Sequence, residues 1–221
     1  MDWKQFDAVI FDMDGVVVDT EDIHFQAMCR VFKTYNIELD QGHFEKFVGH
    51  TTSRNIQDIN QEFNVDLDIP TIVREQRAAF EEILENTGVD ARPGVWDLID
   101  NLKSLKVKTG LCTSSTRTEA EYMFGKILRT HPEYRGIGDV FDTSVTATDV
   151  THRKPHPEPY SRAMGNLGAA PEKCLVFEDS ALGMESARGA GCGMLIALRH
   201  PYNRNKLGQA DMTIDSLEEL I

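Results

Sequence analysis

Four short stretches of this chain carry side chains that could move a phosphoryl group. The first is Phe11-Asp12-Met13-Asp14-Gly15, where two carboxylates stand just before a glycine that permits a tight turn. Such a pair can divide the work of phosphoryl transfer. One carboxylate attacks phosphorus as a nucleophile, and the other gives or takes the proton at the ester oxygen. Asp-x-Asp also opens a calcium-binding EF-hand loop, which needs oxygen ligands at its fifth and twelfth positions and glycine at its sixth. Here those positions hold Val16, Ile23 and Val17, so the calcium loop is excluded. A solvated acidic turn is the other reading of the same residues.

The remaining three stretches are weaker singly. In Leu111-Cys112-Thr113-Ser114-Ser115, hydroxyls and turn amides could donate to phosphoryl oxygens, or the run could simply cap a helix. Arg153-Lys154-Pro155 offers a lysine that could neutralise a nucleophile and a phosphoryl group, or a surface charge. Val176-Phe177-Glu178-Asp179-Ser180 places two adjacent acids after an apolar run. Asp179 could be a helix N-cap, or the acids could supply hard oxygen ligands for Mg²⁺.

What would position these groups is a sheet. Ala8-Val9-Ile10-Phe11 is a short continuous apolar run, the pattern of a buried parallel strand, and similar runs recur at 109–112, 174–177 and 194–197. A weaker candidate covers 141–145. Between them lie helical patterns at Val95–Ser104, 157–167 and 181–190, the last stopped by Gly191. Alternating strands and helices predict an α/β fold, a doubly wound parallel sheet with right-handed crossovers; an α+β fold with mixed pairing is the alternative. In such sheets ligands bind beyond the carboxyl ends of the strands, where Asp12, Asp14, Thr113, Glu178 and Asp179 fall.

Between the first strand and Pro93 the pattern changes. Residues 23–32, 54–63 and 72–84 all show three-four apolar spacing, and no convincing strand lies among them. This predicts a small helical domain over 20–89, inserted into a catalytic core of 1–19 and 90–221.

The formal net charge of −13 disfavours nucleic acid and anionic membranes as partners, and no dense basic patch offsets it; Arg199-His200 and Arg204-Asn205-Lys206 are too sparse. The four cysteines are dispersed without a CxxC pair, so a zinc site or disulfide framework is not expected and a reducing cytoplasm is. The N-terminus lacks the order of a signal peptide, and no apolar run approaches a membrane span.

Taken together, Asp12-x-Asp14-Gly15, Thr113, Lys154-Pro155 and Glu178-Asp179 resemble the four motifs of the haloacid dehalogenase superfamily, over nearly the whole chain. The helical insertion resembles that superfamily's C1-type cap. The resemblance implies Asp12 as nucleophile, Asp14 as general acid and base, and Thr113, Ser114 and Lys154 as phosphoryl ligands. It implies Mg²⁺ held by the Asp12 carboxylate, the Asp14 backbone carbonyl and Asp179, with Glu178 nearby, and a cis Lys154–Pro155 bond. An acid at position 14 resembles the phosphatase and mutase branches rather than the dehalogenases. Asp19-Thr20-Glu21-Asp22-Ile23-His24 is similar to the opening cap helix of β-phosphoglucomutase-like proteins, which makes His24 a candidate substrate contact. Val48-Gly49-His50-Thr51-Thr52-Ser53-Arg54 resembles a specificity loop of that branch, with Arg54 a candidate second-phosphate contact. Mutases place an arginine closer to the glycine, so this departure weighs against mutase activity.

The expected activity is therefore hydrolysis of a small phosphate monoester: a sugar phosphate, nucleoside monophosphate or phosphoglycolate. A hexose-phosphate mutase is the alternative, and a non-catalytic sugar-phosphate sensor a third. The expected partner is a small phosphorylated metabolite, with the chain a monomer or small homo-oligomer. A signalling receiver domain would carry its acidic pair after strand one and its acceptor aspartate mid-chain, the reverse of the order here.

Overall fold

The computed structural model describes residues 1–47, 51–200, 203 and 207–221. Among them six strands form one sheet: β1 (Ala8–Phe11), β2 (Lys108–Cys112), β3 (Thr143–Val145), β4 (Cys174–Glu178), β5 (Met194–Leu198) and β6 (Met212–Ile214). Their order is β3-β2-β1-β4-β5-β6, and every neighbouring pair is parallel, which excludes the mixed α+β alternative. The apolar runs become strands because both faces are covered. All four residues of β1 and all five of β4 are buried, as a parallel sheet between helices requires. Strand β6 had no usable signal: it is three residues long, and two of them are exposed at the sheet edge.

The chain divides into two compact units, residues 1–19 with 90–221, and residues 20–89. The first holds the sheet and five described α-helices: α5 (Val95–Ser104), α6 (Arg117–Ile127), α7 (Ile137–Val140), α8 (Glu158–Leu167) and α9 (Ala181–Gly189). Helix α5 buries Val95, Leu98, Ile99 and Leu102, the face its spacing predicts. Helix α8 presents Tyr160, Ala163, Met164 and Leu167 to a cluster with Ile10, Val176 and Leu195. Helix α6 starts with a reciprocal capping box, Thr116 with Glu119. The residue that caps it is thus Thr116, not the Thr113-Ser114-Ser115 run.

The second unit contains α1 (Glu21–Thr34), α2 (Gln41–Phe47), α3 (Thr52–Glu62) and α4 (Ile69–Thr87). Its own apolar centre is built from Ala27, Val31, Phe32, Ile56, Ile59 and Ile72. The helical periodicity is legible because these helices each bury one stripe. Helix α2 spans only seven residues, too short for the spacing to declare it.

The two chain passages at the edge of the first unit are tied side by side. Val18 and Ala91 form an antiparallel bridge, the Arg92 amide donates to the Val17 carbonyl at 2.8 Å, and the Arg92 guanidinium meets Asp19 at 2.9 Å. Val48, Gly49 and His50 of the loop resembling a specificity loop, and the stretch Arg204-Asn205-Lys206, lie outside the described residues. No helix among the described residues is long and apolar enough to cross a membrane. The cysteines are free; Cys112, Cys174 and Cys192 are buried.

Candidate active site

Strand register brings the chemistry to one edge. Phe11 of β1 pairs with Leu111 of β2 on one side and Phe177 of β4 on the other. The next residues, Asp12, Cys112 and Glu178, therefore leave the sheet level with one another, and Thr113 and Asp179 follow one step beyond. The Asp12 amide donates to the Phe177 carbonyl at 3.0 Å, and the Thr113 amide to Val145 at 2.9 Å, so the backbone at each strand end is fixed. The switch point lies between β1 and β4, where successive crossovers leave in opposite directions and open a crevice.

Into that row Lys154 arrives from the segment before α8. Its side chain is only 6% exposed, so it is no surface charge. The ammonium donates to Asp12 Oδ1 at 2.6 Å, Glu178 Oε1 at 2.7 Å, the Cys112 carbonyl at 3.0 Å and Tyr160 Oη at 3.0 Å. Tyr160, fully buried on α8, donates its own proton to Glu178 Oε1 at 2.8 Å. The other Glu178 oxygen accepts the amides of Asp179 and Ser180 and the Ser180 hydroxyl, each at 3.0 Å. A wholly buried carboxylate is tolerable only when its lone pairs are met in this way.

The charges follow from these contacts. Burial works against the Lys154 ammonium, but the carboxylates of Asp12 and Glu178 outweigh it and keep the lysine protonated above its usual range. Burial likewise works against the Glu178 carboxylate, but Lys154 holds it below its ordinary value. For Asp12 the balance tips the other way. Burial, opposed by Lys154 but reinforced by the charges of Glu178 and Asp14, pushes its carboxyl up to about 8. The protein alone does not supply enough positive charge for three acids.

Asp12, Glu178 and Asp179 can each place an oxygen within 4.8 Å of the others, and all three residues are buried. A set of carboxylate oxygens short of positive charge fits a small hard dication such as Mg²⁺. The approach of Asp179 depends on Gly15. This glycine has φ +78°, and a β-carbon there would overlap the Asp179 carboxylate. Gly183 has the same relation to Glu178. Helix α9 is capped by Ser180, whose hydroxyl accepts the Gly183 amide, so Asp179 is not the N-cap.

Behind Asp179 stand two residues with no sequence signal. Asn203 donates its amide to the Asp179 carbonyl at 2.8 Å and to the Leu198 carbonyl at 3.0 Å, and accepts the His200 amide. His200 Nε2 lies 3.6 Å from Asp179 Oδ2, and burial together with Arg92 pushes its imidazole down to about 4. The pair is a contact with a neutral ring, not an ion pair.

Asp14 is half-buried and its Oδ2 accepts the Ser115 hydroxyl at 3.3 Å. Thr113 is buried, and its Oγ1 accepts the Ser115 amide at 3.0 Å, which leaves its proton to donate elsewhere. Ser114, by contrast, is exposed; the serine that meets the acidic pair is Ser115. His24 and Arg54 belong to the helical unit. His24 stacks on Phe80 at 4.2 Å and contacts Gln76 at 3.3 Å, whereas exposed Arg54 pairs with Asp58 one turn along α3 at 3.1 Å. The Lys154–Pro155 bond is cis. Sequence reasoning missed Tyr160, Ser115, His200 and Asn203. Ser115 left a trace as part of the Thr113-Ser114-Ser115 run, and Tyr160 as an aromatic on the apolar stripe of the helix that follows Lys154.

Residues 9–197 match the family of haloacid dehalogenase-like hydrolases. The chain is 29% identical over 204 residues to a phosphorylated carbohydrates phosphatase of Thermotoga maritima, covering 90% of this chain and 88% of that one. It is 31% identical over 189 residues to a fructose-1-phosphate phosphatase of Escherichia coli, covering 86% and 95% respectively. Its fold matches a crystal structure of mutant CbbY from Rhodobacter sphaeroides in complex with xylulose-(1,5)bisphosphate. The TM-score is 0.81 and the identity 25%, over 97% of this chain and 96% of that one.

Proposed function

The chain belongs to the haloacid dehalogenase-like hydrolase family and is a phosphoric monoester hydrolase; on that premise we propose that it is a Mg²⁺-dependent phosphatase of phosphorylated sugars, acting through an aspartyl phosphate on Asp12. The observation that carries the reading is the buried row Asp12–Lys154–Glu178 at three parallel strand ends, with Asp14 beside it. The sugar comes from the relatives' substrates, phosphorylated carbohydrates and fructose 1-phosphate, and from the bisphosphate bound to the structural neighbour.

In this reading the Asp12 carboxylate attacks phosphorus, and Lys154, fixed by Glu178 and Tyr160, faces both the nucleophile and the phosphoryl oxygens. Thr113 donates its hydroxyl proton to a phosphoryl oxygen, its own lone pair being held by the Ser115 amide. Asp14, oriented by Ser115, gives the leaving alkoxide a proton and then takes one from the water that hydrolyses the acyl phosphate. The residues placed to hold Mg²⁺ are Asp12 and Asp179, with the Asp14 carbonyl assigned on the resemblance. Glu178 accepts protein donors at both oxygens and fixes Lys154, and its place beside the metal rests on the resemblance. When bound, the metal screens the repulsion between nucleophile and phosphate and stabilises the charge of the transferring group. The roles of His24, Arg54 and the helical unit in choosing the leaving group rest on the resemblance, as does Ser114 as a phosphoryl ligand. The mutase alternative has less support, because the curated relatives described above are phosphatases.

The test is phosphate release from a panel of hexose and pentose phosphates, nucleoside monophosphates and phosphoglycolate, with Mg²⁺ and with chelator. Mg²⁺-dependent release from one or more sugar phosphates is expected. Silence across the panel, with isomerisation of a hexose phosphate once a bisphosphate primer is added, would overturn the phosphatase reading in favour of the mutase.

A further inference from the structure

The segment that delivers Lys154 carries a second cluster with metal-binding chemistry, one that the proposed reaction does not use. His152 and His156 flank the Lys154–Pro155 pair, and Glu158 opens α8 directly beyond them. Each of the three can offer one ligand atom within 4.8 Å of the other two. His152 and His156 are exposed and Glu158 is half-buried, so an ion could reach them from solvent.

The carboxylate is already fixed for such a role. Glu158 Oε1 accepts the Thr151 amide at 2.8 Å, and Oε2 accepts the His152 amide at 2.9 Å and lies 2.9 Å from the His152 ring nitrogen Nδ1. These amide bonds, with the His152 ring, hold the carboxyl down at about 2, so it stays ionised without a metal. His156 Nδ1 accepts the Glu158 amide at 3.1 Å, so that nitrogen carries the ring's lone pair and is the atom a metal would take in place of the amide bond. The two imidazoles are stacked 4.4 Å apart at 28°. Ser186 on α9 donates to the His156 carbonyl at 2.6 Å, pinning that side of the loop to the next helix.

We propose that His152, His156 and Glu158 form a second metal site, taking Zn²⁺ or a similar borderline dication, on the outer side of the loop that presents Lys154. The donor set separates it chemically from the all-carboxylate cluster at Asp12 and Asp179. Imidazole nitrogen with one carboxylate favours Zn²⁺, Ni²⁺ or Cu²⁺, whereas oxygen alone favours Mg²⁺. The His-x₃-His spacing is also one that zinc ligands commonly use. Three protein ligands leave a position for water, as in exchangeable zinc sites. Tetrahedral zinc with bonds of about 2.1 Å sets its ligand atoms about 3.4 Å apart. Binding therefore needs a small opening between the His152 ring and Glu158 and a turn of the exposed His156 ring that gives up its bond from the Glu158 amide. As the metal takes the place facing Glu158, the proton of a neutral His152 ring moves from Nδ1 to Nε2, and only a doubly protonated ring gives one up to solvent. A bound ion would bridge the two sides of Lys154–Pro155 and stiffen the loop behind the ammonium.

This inference stands apart from the phosphatase reading, since it needs neither turnover nor substrate. The experiment is calorimetric titration of Zn²⁺ into chelator-stripped protein kept in excess Mg²⁺, so that hard-oxygen sites are filled. One equivalent is expected. His156→Ala and His152→Ala, both at exposed positions, should each weaken the binding at least tenfold while the circular dichroism spectrum is unchanged. Co²⁺ in place of Zn²⁺ should give the visible bands of a low-coordinate nitrogen–oxygen site, lost in both variants. Absence of a zinc equivalent under excess Mg²⁺, or an equivalent that neither substitution weakens, would overturn the proposal.

Discussion

The two units of this chain treat charge in opposite ways. In the sheet unit, Asp12, Lys154, Glu178 and Asp179 are buried together, and their positions descend from strand register and from hydrogen bonds to backbone amides and carbonyls. In the helical unit, ion pairs such as Arg30–Glu82, Lys46–Glu62 and Arg54–Asp58 lie largely exposed, each joining flexible side chains in solvent. Charges of the first kind are costly to assemble and costly to break, and a fold keeps them when their chemistry is used. Pairs of the second kind contribute from nothing to about 1 kcal/mol each and are open to exchange. Reaction chemistry is thus expected to sit in the sheet unit, with the helical unit free to vary.

Substitutions graded by size can break that contrast. The largest effect belongs to Asp12→Asn, which keeps the shape and hydrogen bonding of the side chain but removes the nucleophile. Phosphate release should fall by about a thousandfold or more, with a thermal unfolding transition still present. Retained turnover would move the chemistry elsewhere. Next comes Lys154→Met, which leaves Asp12 and Glu178 facing each other without a cation. Both activity and stability should suffer, the latter by about 3–5 kcal/mol in urea unfolding at neutral pH. Tyr160→Phe sharpens the comparison further, because it removes only the hydroxyl that links Lys154 and Glu178. A loss of about 1–3 kcal/mol is expected, with kcat reduced more than KM is raised. The smallest effect should come from Arg54→Ala in the helical unit, within about 0.5 kcal/mol of the parent on the same unfolding curve.

The same contrast explains what could be read from the sequence. Asp12, Asp14, Thr113, Glu178 and Asp179 announce themselves because each follows a run of apolar residues, and a parallel sheet converts that pattern into a common edge. Lys154 follows no such run, and only its proline and the family resemblance marked it. Ser115 was passed over for Ser114 because neighbouring serines look alike until the turn decides which hydroxyl faces Asp14. Tyr160 is an aromatic on the buried face of α8, and that its hydroxyl completes the lysine's surroundings depends on how α8 packs on the sheet. His200 and Asn203 follow no pattern that marks them, because their role behind Asp179 comes from positions beyond β5 in the chain. The edge strand β6 and the short helix α2 carry too few residues for periodicity to register.

The central claim is that Asp12 carries the phosphoryl group, and it can be read directly. Protein turning over a sugar phosphate with Mg²⁺ would be quenched in acid and reduced with borohydride, which converts an aspartyl phosphate to homoserine. Peptide mass spectrometry should then find homoserine at position 12, dependent on substrate and Mg²⁺ and absent from Asp12→Asn. Full turnover with Asp12 unmodified under the same quench, or conversion at another aspartate, would contradict the account.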